Sequence, residues 1–396
     1  MPVLRIDDVA HGGEALGRLD GKVVFVAGAM PGELVEVEIV ADEERWARAE
    51  LRRVLEPAAA RRDPPCRHFG ACGGCDWQFA DYEAQLDWKR RVVAGQLRHL
   101  GGLDVPVAAT VPSPLPFGYR NRMDFSVRAG RPALLRRRSG KRVIVEECLL
   151  LQENLAELFE RLGPLRGVHR VVIRGSPRTG ERLVAVHGPV PPQAASWGTS
   201  VVAVGRRRVD PIHGRPWYHE VVAGVRFRVS ATSFFQVNTA GADLLVELVD
   251  AACDVGPDDT LVDAYAGVGL FAATVGRRAG RVLAVEAARS SVADLRENAP
   301  DVEVVRGEVE RALLRLGEPW DVVIADPPRS GLGVHGVEAV CEGRPRTIVY
   351  VSCDPAALAR DAAMLVERGY ELEGVTPLDL FPQTHHVESV ARFLAR

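Results

Sequence analysis

The chain has 396 residues, of which 47% are hydrophobic, and its formal net charge is −3 at pH 7. This length and apolar content predict two or three domains with well-filled cores. No apolar run reaches the roughly 18 residues of a membrane-spanning helix, and the first residues lack the apolar stretch of a signal peptide. We therefore expect a globular, cytoplasmic protein without a membrane partner.

The net charge excludes a protein that is basic over its whole surface, so contact with nucleic acid must depend on local patches. The densest arginine-rich stretches are residues 89–91, 136–142 and 206–208. A solvated surface face is the alternative interpretation of each stretch.

Residues 1–57 alternate in short β-like runs that are broken by turn residues. Two of these runs are 23–26 and 34–40, with Pro31 and Gly32 between them. Several short strands with glycine turns predict a small closed barrel of the OB type, a frequent nucleic-acid binder. Many small barrels only join other domains, so the barrel alone does not define a function.

Residues 58–230 are the predicted central domain, which begins with a cysteine-rich segment. The spacing is Cys66-x5-Cys72-x2-Cys75, with a Gly-Gly turn between the last two cysteines. Such closely spaced thiols predict a metal site, and Cys148 is the candidate fourth ligand. Zinc and a four-iron cluster both accept four thiolates, and unliganded structural cysteines are a third interpretation. Since the five-residue gap is unlike a zinc knuckle, we favour iron and sulfur.

The rest of the central domain predicts one helix followed by strands. Residues 76–100 carry a broken apolar stripe at helical spacing, and we expect this helix to be able to pack on the last domain. Strands and hairpins are predicted over 111–230, with turns at 175–180 and 223–224. Residues 119–122, Tyr-Arg-Asn-Arg, offer stacking and phosphate contacts to RNA, with a surface salt-bridge cluster as the alternative.

Residues 231–396 predict a doubly wound α/β domain. After a helix over 239–252, apolar β-like runs alternate with helical segments. The runs are Thr260–Asp263, Val282–Glu286, Asp321–Asp326 and Thr347–Ser352. This alternation is typical of a parallel sheet with helices on both faces.

The first of these runs leads into a glycine turn, Asp263-Ala-Tyr-Ala-Gly-Val-Gly269, that we expect between a strand and a helix. Ligands of open α/β sheets bind at this edge. The second run ends in Glu286, whose carboxylate can accept both hydroxyls of a ribose. NAD fits imperfectly, because the third glycine of its fingerprint is replaced by Ala272. S-adenosylmethionine needs no pyrophosphate cradle, so we favour it as the cofactor.

Cys353 follows the run 347–352 and precedes a predicted helix start. Donor N–H groups and the helix dipole at such a turn are expected to lower the pKa of its thiol, which makes it a candidate nucleophile. A small buried hydrophobe is the alternative.

The third run ends in Asp326-Pro-Pro-Arg. Methyltransferases that act on amino groups have Asp-Pro-Pro followed by an aromatic residue, which would stack on the base. This difference favours a ring carbon over an exocyclic amine as the methyl acceptor.

A carbon such as C5 of uracil is a poor nucleophile toward a sulfonium methyl group, and covalent catalysis is the physical remedy. Addition of the Cys353 thiolate at C6 would push electron density onto C5. A separate base must then remove the C5 proton. Glu388, in His-Val-Glu, is the candidate base, and an ordinary surface glutamate is the alternative.

Five features together resemble the RNA uracil-5 methyltransferase family of the TrmA and RlmD type. They are the cysteine quartet, Ser-Phe-Phe-Gln-Val-Asn at 233–238, Asp-Pro-Pro-Arg-Ser-Gly-Leu at 326–332, Ser-Cys-Asp-Pro at 352–355 and His-Val-Glu at 386–388. The resemblance covers essentially the whole chain. It implies a multidomain fold with an N-terminal TRAM-like barrel, a central α+β RNA-binding domain that bears the cysteines, and a C-terminal Rossmann-like methyltransferase domain.

The resemblance also implies residue roles, with Cys353 as nucleophile and Glu388 as proton acceptor. The implied contacts to S-adenosylmethionine are Gln236, Tyr265, Glu286 and Asp326, and the glycine turn adds Asp263, Gly267 and Gly269. The implied ligands of a [4Fe-4S] cluster, structural or RNA-positioning because methyl transfer needs no electron, are Cys66, Cys72, Cys75 and Cys148. The chain departs from the family pattern at Ala266 and Leu270, where cysteine and asparagine are common, so an amide contact to the cofactor is expected to be missing.

The expected substrate is a uridine in a structured RNA loop, of transfer RNA or 23S ribosomal RNA, because unstacking the base costs least there. No obligate protein partner is predicted. One alternative is an iron–sulfur RNA-binding protein with an inactive methyltransferase fold, against which the retention of Cys353 and Glu388 argues. Another is cytosine-5 methylation, which commonly uses a second cysteine where Pro328 and Arg329 stand.

Overall fold

The structure is a computed structural model that describes residues 1–137 and 139–396, so Arg138 of the second arginine-rich stretch lies outside the described residues. The first five strands form a closed barrel in the order β1-β2-β3-β5-β4, which confirms the predicted barrel. They are β1 (Val3–Val9), β2 (Ala15–Leu19), β3 (Lys22–Ala27), β4 (Leu34–Asp42) and β5 (Trp46–Glu56). Alternate side chains fill the barrel because successive residues of a strand point to opposite faces, as Leu4 and Ile6 do in β1.

The cysteine-rich segment follows the barrel as irregular chain and leads into α1 (Tyr82–Gly101). The predicted helix start at residue 76 is wrong by six residues. The backbone N–H groups of Asp76 and Trp77 both donate to Gln383 O, at 2.9 and 3.1 Å. This stretch therefore hydrogen-bonds to a segment far away in the sequence and does not form the first turn of a helix. Lys89 is also not part of a surface patch, because its side chain is fully buried.

The central domain contains a seven-stranded sheet of order β12-β11-β10-β9-β6-β7-β8. Its strands are β6 (Arg122–Arg128), β7 (Arg131–Leu135), β8 (Arg142–Ile144), β9 (Arg170–Gly175), β10 (Arg182–His187), β11 (Ser200–Val204) and β12 (Val209–His213). The helix α2 (Glu153–Arg161) was not expected among these strands. It covers one face of the sheet with Leu155, Leu158 and Phe159, spaced for one side of a helix.

A separate hairpin, β13 (Trp217–Val222) and β14 (Val225–Ser230), leads into the C-terminal domain. That domain is a seven-stranded sheet of order β17-β16-β15-β18-β19-β21-β20, in which β21 is the antiparallel strand. Its elements are α3 (Thr239–Cys253), β15 (Thr260–Ala264), β16 (Arg281–Glu286), α4 (Arg289–Asn298), β17 (Glu303–Arg306), α5 (Val309–Leu316), β18 (Val322–Ala325), α6 (Gly333–Glu342), β19 (Thr347–Ser352), α7 (Pro355–Glu367), β20 (Tyr370–Leu378) and β21 (Glu388–Ala395).

Helices cover both faces of this sheet, as the alternation of the sequence predicts. Leu245 and Val249 of α3 pack in one core cluster, on the opposite face from α5, α6 and α7. The second cluster also takes Val93 and Leu97 of α1, which therefore packs on the C-terminal domain. Among the described residues no helix is long and apolar enough to cross a membrane.

Candidate active site at the carboxyl edge of the sheet

The register of the C-terminal sheet brings Cys353 next to Glu388. Ser352, the last residue of β19, pairs with Ser389 of the antiparallel strand β21, so Cys353, which follows Ser352, lies beside Glu388, the first residue of β21. Ala325 at the end of β18 pairs with Tyr350, which places Asp326 at the same edge. One thiol and two carboxylates, those of Cys353, Glu388 and Asp326, therefore lie at one edge of the sheet. Open α/β sheets bind their ligands at this edge.

Cys353 lies in a tight connection between β19 and α7. Asp354 caps the helix by accepting from Ala357 N at 2.8 Å, and Pro355 takes the first helical position, where its missing N–H costs nothing. Ser352 Oγ accepts from Asp354 N at 3.3 Å and fixes the turn. The Cys353 side chain is half-buried at this turn.

The thiol of Cys353 is not activated in the protein by itself. Burial, followed by the carboxylates of Glu388 and Asp326, raises its pKa to about 12, and the Arg329 guanidinium acts in the opposite direction. The expectation of a lowered pKa is therefore wrong, because burial and two negative neighbours outweigh the helix dipole. The thiol is protonated at neutral pH until additional positive charge approaches it.

Glu388 is buried at 3% exposure, contrary to the surface interpretation. Burial and the neighbouring Asp326 raise the pKa of its carboxyl well above the usual value, while Arg329 lowers it. Among the described residues its Oε1 has no hydrogen-bond partner. An ionised carboxylate in this position is a strong base, which is the property that proton abstraction requires.

We expect Glu388→Gln to lower the pKa of the Cys353 thiol, because the substitution removes a negative charge that opposes the thiolate. The rate of alkylation of Cys353 by iodoacetamide, followed by peptide mass spectrometry between pH 7 and 10, should rise at the pH values at which Glu388 is ionised in the parent, and the rise should grow with pH. Glu367→Gln makes the same charge change at the exposed end of α7 and should leave the rate unchanged. An unchanged or slower reaction in the Glu388 variant would show that the two groups are not coupled.

The glycine turn after β15 is organised by Asp263. Its fully buried carboxylate accepts from Ala272 N at 2.8 Å, and burial raises its pKa to about 8. Among the described residues no α-helix lies between β15 and β16, contrary to the expected strand-turn-helix order. The chain makes irregular turns up to a 3₁₀ segment, Val275–Arg278. Asp263 thus fixes the backbone of this glycine turn through Ala272.

Glu286 closes the same loop from the end of β16. Its Oε2 accepts from Gly267 N at 2.9 Å and its Oε1 accepts from Ala288 N at 2.6 Å. Tyr265 has a positive φ of 64° and donates its hydroxyl to Glu310 Oε1 at 2.9 Å. These predicted cofactor residues are brought together around one turn.

Gly269 has a φ of 91°, and a Cβ at this position would collide with the Leu295 side chain of α4. We expect Gly269→Ala to lower the free energy of unfolding by about 1–3 kcal/mol, from backbone strain and displaced packing. Gly267→Ala is the matched control, since its φ is 57° and its Cβ would meet nothing within 4 Å. Thermal unfolding of both variants tests this, and equal losses would contradict the role assigned to Leu295.

Of the remaining predicted cofactor residues, Asp326 adjoins the glycine turn, since its N–H donates to Ala264 O at 3.4 Å, and Gln236 contacts the central domain. Gln236 is buried, and its backbone O accepts from Asn121 Nδ2 of the central domain at 3.0 Å. Asp326 is half-buried, and burial raises the pKa of its carboxyl to about 7. Ala266 and Leu270, the two departures from the family pattern, are both buried in the core.

Two site residues were not assigned from the sequence. Arg329 is exposed beside Asp326, and its charge acts on both Cys353 and Glu388. Phe234 leaves 58% of its surface exposed, two residues before Gln236. Both residues lie inside sequence motifs, Phe234 in the motif at 233–238 and Arg329 in the motif at 326–332. The motifs do not show that these side chains are exposed.

The four cysteines of the predicted metal site line one cavity of about 570 Å³, although they come from two separate segments. Burial raises the pKa of Cys72 and Cys148, and that of Cys75 to about 12. Among the described residues no three cysteine, histidine or acidic side chains are grouped closely enough to hold a metal ion. The donor set of four thiols around one cavity fits the chemistry of an iron–sulfur cluster, and the cluster itself stays a prediction.

Comparison with known proteins agrees with this architecture. The TRAM domain model matches residues 3–51, and the tRNA (Uracil-5-)-methyltransferase model matches residues 317–396. The chain is 35% identical to an RNA methyltransferase of Gloeobacter violaceus, over 98% of this chain and 94% of that one. It is 36% identical to one of Streptomyces coelicolor, over 98% and 91%. The structure of the Pyrococcus abyssi tRNA (uracil-54, C5)-methyltransferase in complex with S-adenosyl-L-homocysteine is similar, with a TM-score of 0.80 and 26% identity over 99% of this chain and 100% of that one.

Proposed function

Since this chain belongs to the TRAM-domain RNA (uracil-5-)-methyltransferases, we propose that it methylates C5 of a uridine in structured RNA through a covalent adduct on Cys353. The observation that carries the proposal is the strand register that sets Cys353 beside Glu388. A nucleophile and a separate base at one edge are the two groups that methylation of a pyrimidine carbon requires.

The reaction begins when the Cys353 thiol loses its proton to solvent and the thiolate adds to C6 of the uracil. This forms a C6–S bond and moves the electron pair of the C5–C6 double bond toward C5. Carbon C5 then forms a bond to the donor's methyl group, while the S–CH₃ bond breaks and its electron pair stays on the donor's sulfur as a neutral thioether. Glu388 takes the remaining proton from C5, the double bond re-forms, and the C6–S bond breaks to return the thiolate.

S-adenosylmethionine supplies the methyl group as an electrophilic sulfonium when bound. The complex of the similar archaeal enzyme with S-adenosyl-L-homocysteine supports this donor. We assign its binding to the loop that Asp263 and Glu286 shape, together with Tyr265, Gln236 and Asp326, and to the glycines Gly267 and Gly269. Glu286 accepts one backbone N–H on each carboxylate oxygen, from Gly267 and Ala288, and each oxygen keeps a further lone pair that a ribose hydroxyl can use.

Structured RNA is the proposed substrate, and a loop of transfer RNA or 23S ribosomal RNA is the expected target. The TRAM domain match and the tRNA substrate of the archaeal relative support an RNA ligand. The base must leave its stack to reach Cys353, which costs a few kcal/mol and least in a loop. Exposed Phe234 and Arg329 are suited to hold an unstacked base and a phosphate.

We expect Phe234→Ala to weaken RNA binding by about 1–3 kcal/mol, the usual contribution of one stacked base. Because the ring is exposed, stability should change by less than about 0.5 kcal/mol. Filter binding to a methyl-accepting transcript measures the affinity. Leu314→Ala, another exposed apolar residue on α5, is the control and should bind normally. Equal affinities of the two variants would exclude stacking on Phe234.

A [4Fe-4S] cluster held by Cys66, Cys72, Cys75 and Cys148 is the second part of the proposal, with zinc as the alternative. Four thiols around one cavity support it. An anaerobic preparation should be brown, with absorbance near about 400 nm and about four irons per chain, the content of a four-iron cluster. A colourless, zinc-loaded preparation would refute the cluster and leave the methylation chemistry untouched.

The direct test of the function is incubation with methyl-labelled S-adenosylmethionine and RNA from a strain that lacks the enzyme. Nuclease digestion and chromatography should give labelled 5-methyluridine at a defined position. Labelled 5-methylcytidine or methyladenosine would replace the assignment. RNA binding without any methylation would indicate the inactive alternative.

A further inference from the structure

The segment between β20 and β21, residues 379–387, runs directly into Glu388. The backbone conformation of this segment therefore determines the position of the Glu388 Cα atom, from which the side chain extends. Among the described residues Glu388 Oε1 has no hydrogen-bond partner of its own. The position of this buried carboxylate therefore depends on the packing around it and on the backbone segment that precedes it.

The cysteine-rich segment forms hydrogen bonds to residues 379–387 immediately after Cys75. Asp76, which follows Cys75, accepts from His385 Nδ1 at 2.6 Å and from His385 N at 3.2 Å. The N–H groups of Asp76 and Trp77 donate to Gln383 O. Four hydrogen bonds thus join two parts of the chain that are 309 residues apart at the Asp76–His385 contact.

Helix α1 also forms hydrogen bonds to residues 379–387. Gln85 and Gln383 exchange two side-chain hydrogen bonds, with Gln85 Nε2 donating to Gln383 Oε1 and Gln383 N donating to Gln85 Oε1, both at 3.1 Å. Gln383 has a φ of 70°, a strained value that these contacts maintain. The buried Lys89 ammonium donates to Asp379 Oδ1 at 2.5 Å and to Phe381 O at 3.1 Å.

The N-terminal barrel also contacts residues 379–387, through the loop between β1 and β2. A Cβ on Gly13 would come within 2.6 Å of His385 Cβ, so the β1–β2 loop lies flat against the histidine. Trp77 Nε1 donates to Gly13 O at 3.0 Å. The His385 ring also contacts that of His386, with ring centroids 4.2 Å apart and the planes tilted by 42°. The barrel, the cysteine-rich segment and the catalytic domain therefore converge on His385, three residues before Glu388.

We propose that Asp76 is a positioning residue that, through its hydrogen-bonded pair with His385, holds Glu388 where it can take the C5 proton. This inference rests on the proposed function and adds that the cysteine-rich segment serves proton abstraction. Addition of Cys353 and methyl transfer do not use Glu388. Loss of the Asp76–His385 pair consequently slows the last step and leaves the earlier ones intact.

The test compares Asp76→Ala and Asp76→Asn with the parent in multiple-turnover methylation of RNA, and follows the formation and decay of the RNA–protein adduct in a single turnover. Asp76→Ala should lower kcat by about ten- to a hundredfold while kcat/KM for RNA stays unchanged, because small displacements of a catalytic group have effects of this size and the slowed step follows methyl transfer. A methyl-labelled RNA–protein adduct that survives denaturing electrophoresis should accumulate. Asp76→Asn keeps an acceptor oxygen and should be affected less. His385→Phe breaks the same pair without changing the chain next to Cys75.

Glu147→Gln is the matched control, because Glu147 adjoins Cys148 and pairs only with exposed Arg67 among the described ion pairs. It should behave like the parent. Loss of methylation without an adduct in both Asp76→Ala and His385→Phe, or unchanged turnover in both, would overturn the inference. Glu388→Gln in the same experiment separates the two levels: if it traps adduct and the other variants do not, the inference fails while the proposed function stands.

Discussion

The Cys353→Ala variant is expected to form no 5-methyluridine and no covalent complex with RNA. Without a thiolate at C6, carbon C5 of uracil stays too electron-poor to attack a sulfonium methyl group. We expect the rate to fall by at least about 10⁴-fold, the scale on which enzymes lose activity with their nucleophile. Methyl transfer to RNA in single turnover, followed by nucleoside analysis, measures it.

Cys341→Ala is the matched control for the loss of a cysteine. Cys341 is half-buried on α6, lies outside the edge that carries Cys353, and should be dispensable for the reaction. The Cys353 variant should still unfold at the parent temperature and bind RNA. If it methylated RNA at the parent rate, covalent catalysis by this residue would be abandoned.

The second large effect is expected for Glu388→Gln, which should arrest the reaction after methyl transfer. The glutamine cannot accept the C5 proton, so the C6–S bond cannot break and the RNA stays attached to Cys353. Multiple-turnover methylation should fall by about 10²–10⁴-fold. A denaturing gel should show a slow-migrating band that contains both labelled RNA and the labelled methyl group.

Glu367→Gln should turn over normally and show no such band. A Glu388 variant that releases free 5-methyluridine at the parent rate would assign proton abstraction elsewhere. The pH dependence has a defined sign as well. Because burial and Asp326 raise the pKa of Glu388, and the base form is required, resolution of the adduct in the parent enzyme should speed up as pH rises through that raised pKa.

These two residues share an electrostatic constraint. Cys353 and Glu388 each need to be negative at a different stage, and each raises the cost of the other's charge. Arg329 is the positive side chain that acts on both. A bound sulfonium adds positive charge during thiolate addition, which is the stage when the thiol must ionise. In the proposed reaction, we therefore expect a bound methyl donor to favour the thiolate form of Cys353.

Local pattern was sufficient for much of this protein. The glycine-broken β runs before residue 57 predict the barrel, and the alternation after residue 231 predicts the doubly wound sheet; the fold confirms both. Both predictions depend on periodicity, which is a property of neighbouring residues. Cys353 was predicted at a strand-to-helix turn for the same reason, since Asp354 and Pro355 are cap residues that any helix start would use.

The features that only the tertiary structure decided depend on residues far apart in the sequence. The direction of the Cys353 pKa shift depends on Glu388 and Asp326, which the strand order brings to its side. The contact of Asp76 with His385 moved a helix start and joined the cysteine-rich segment to the catalytic edge. No local rule anticipates such contacts, because burial and charge proximity are set by how the sheets and helices pack. The sequence thus determined which chemical groups and elements are present, and packing determined their protonation and their mutual positions.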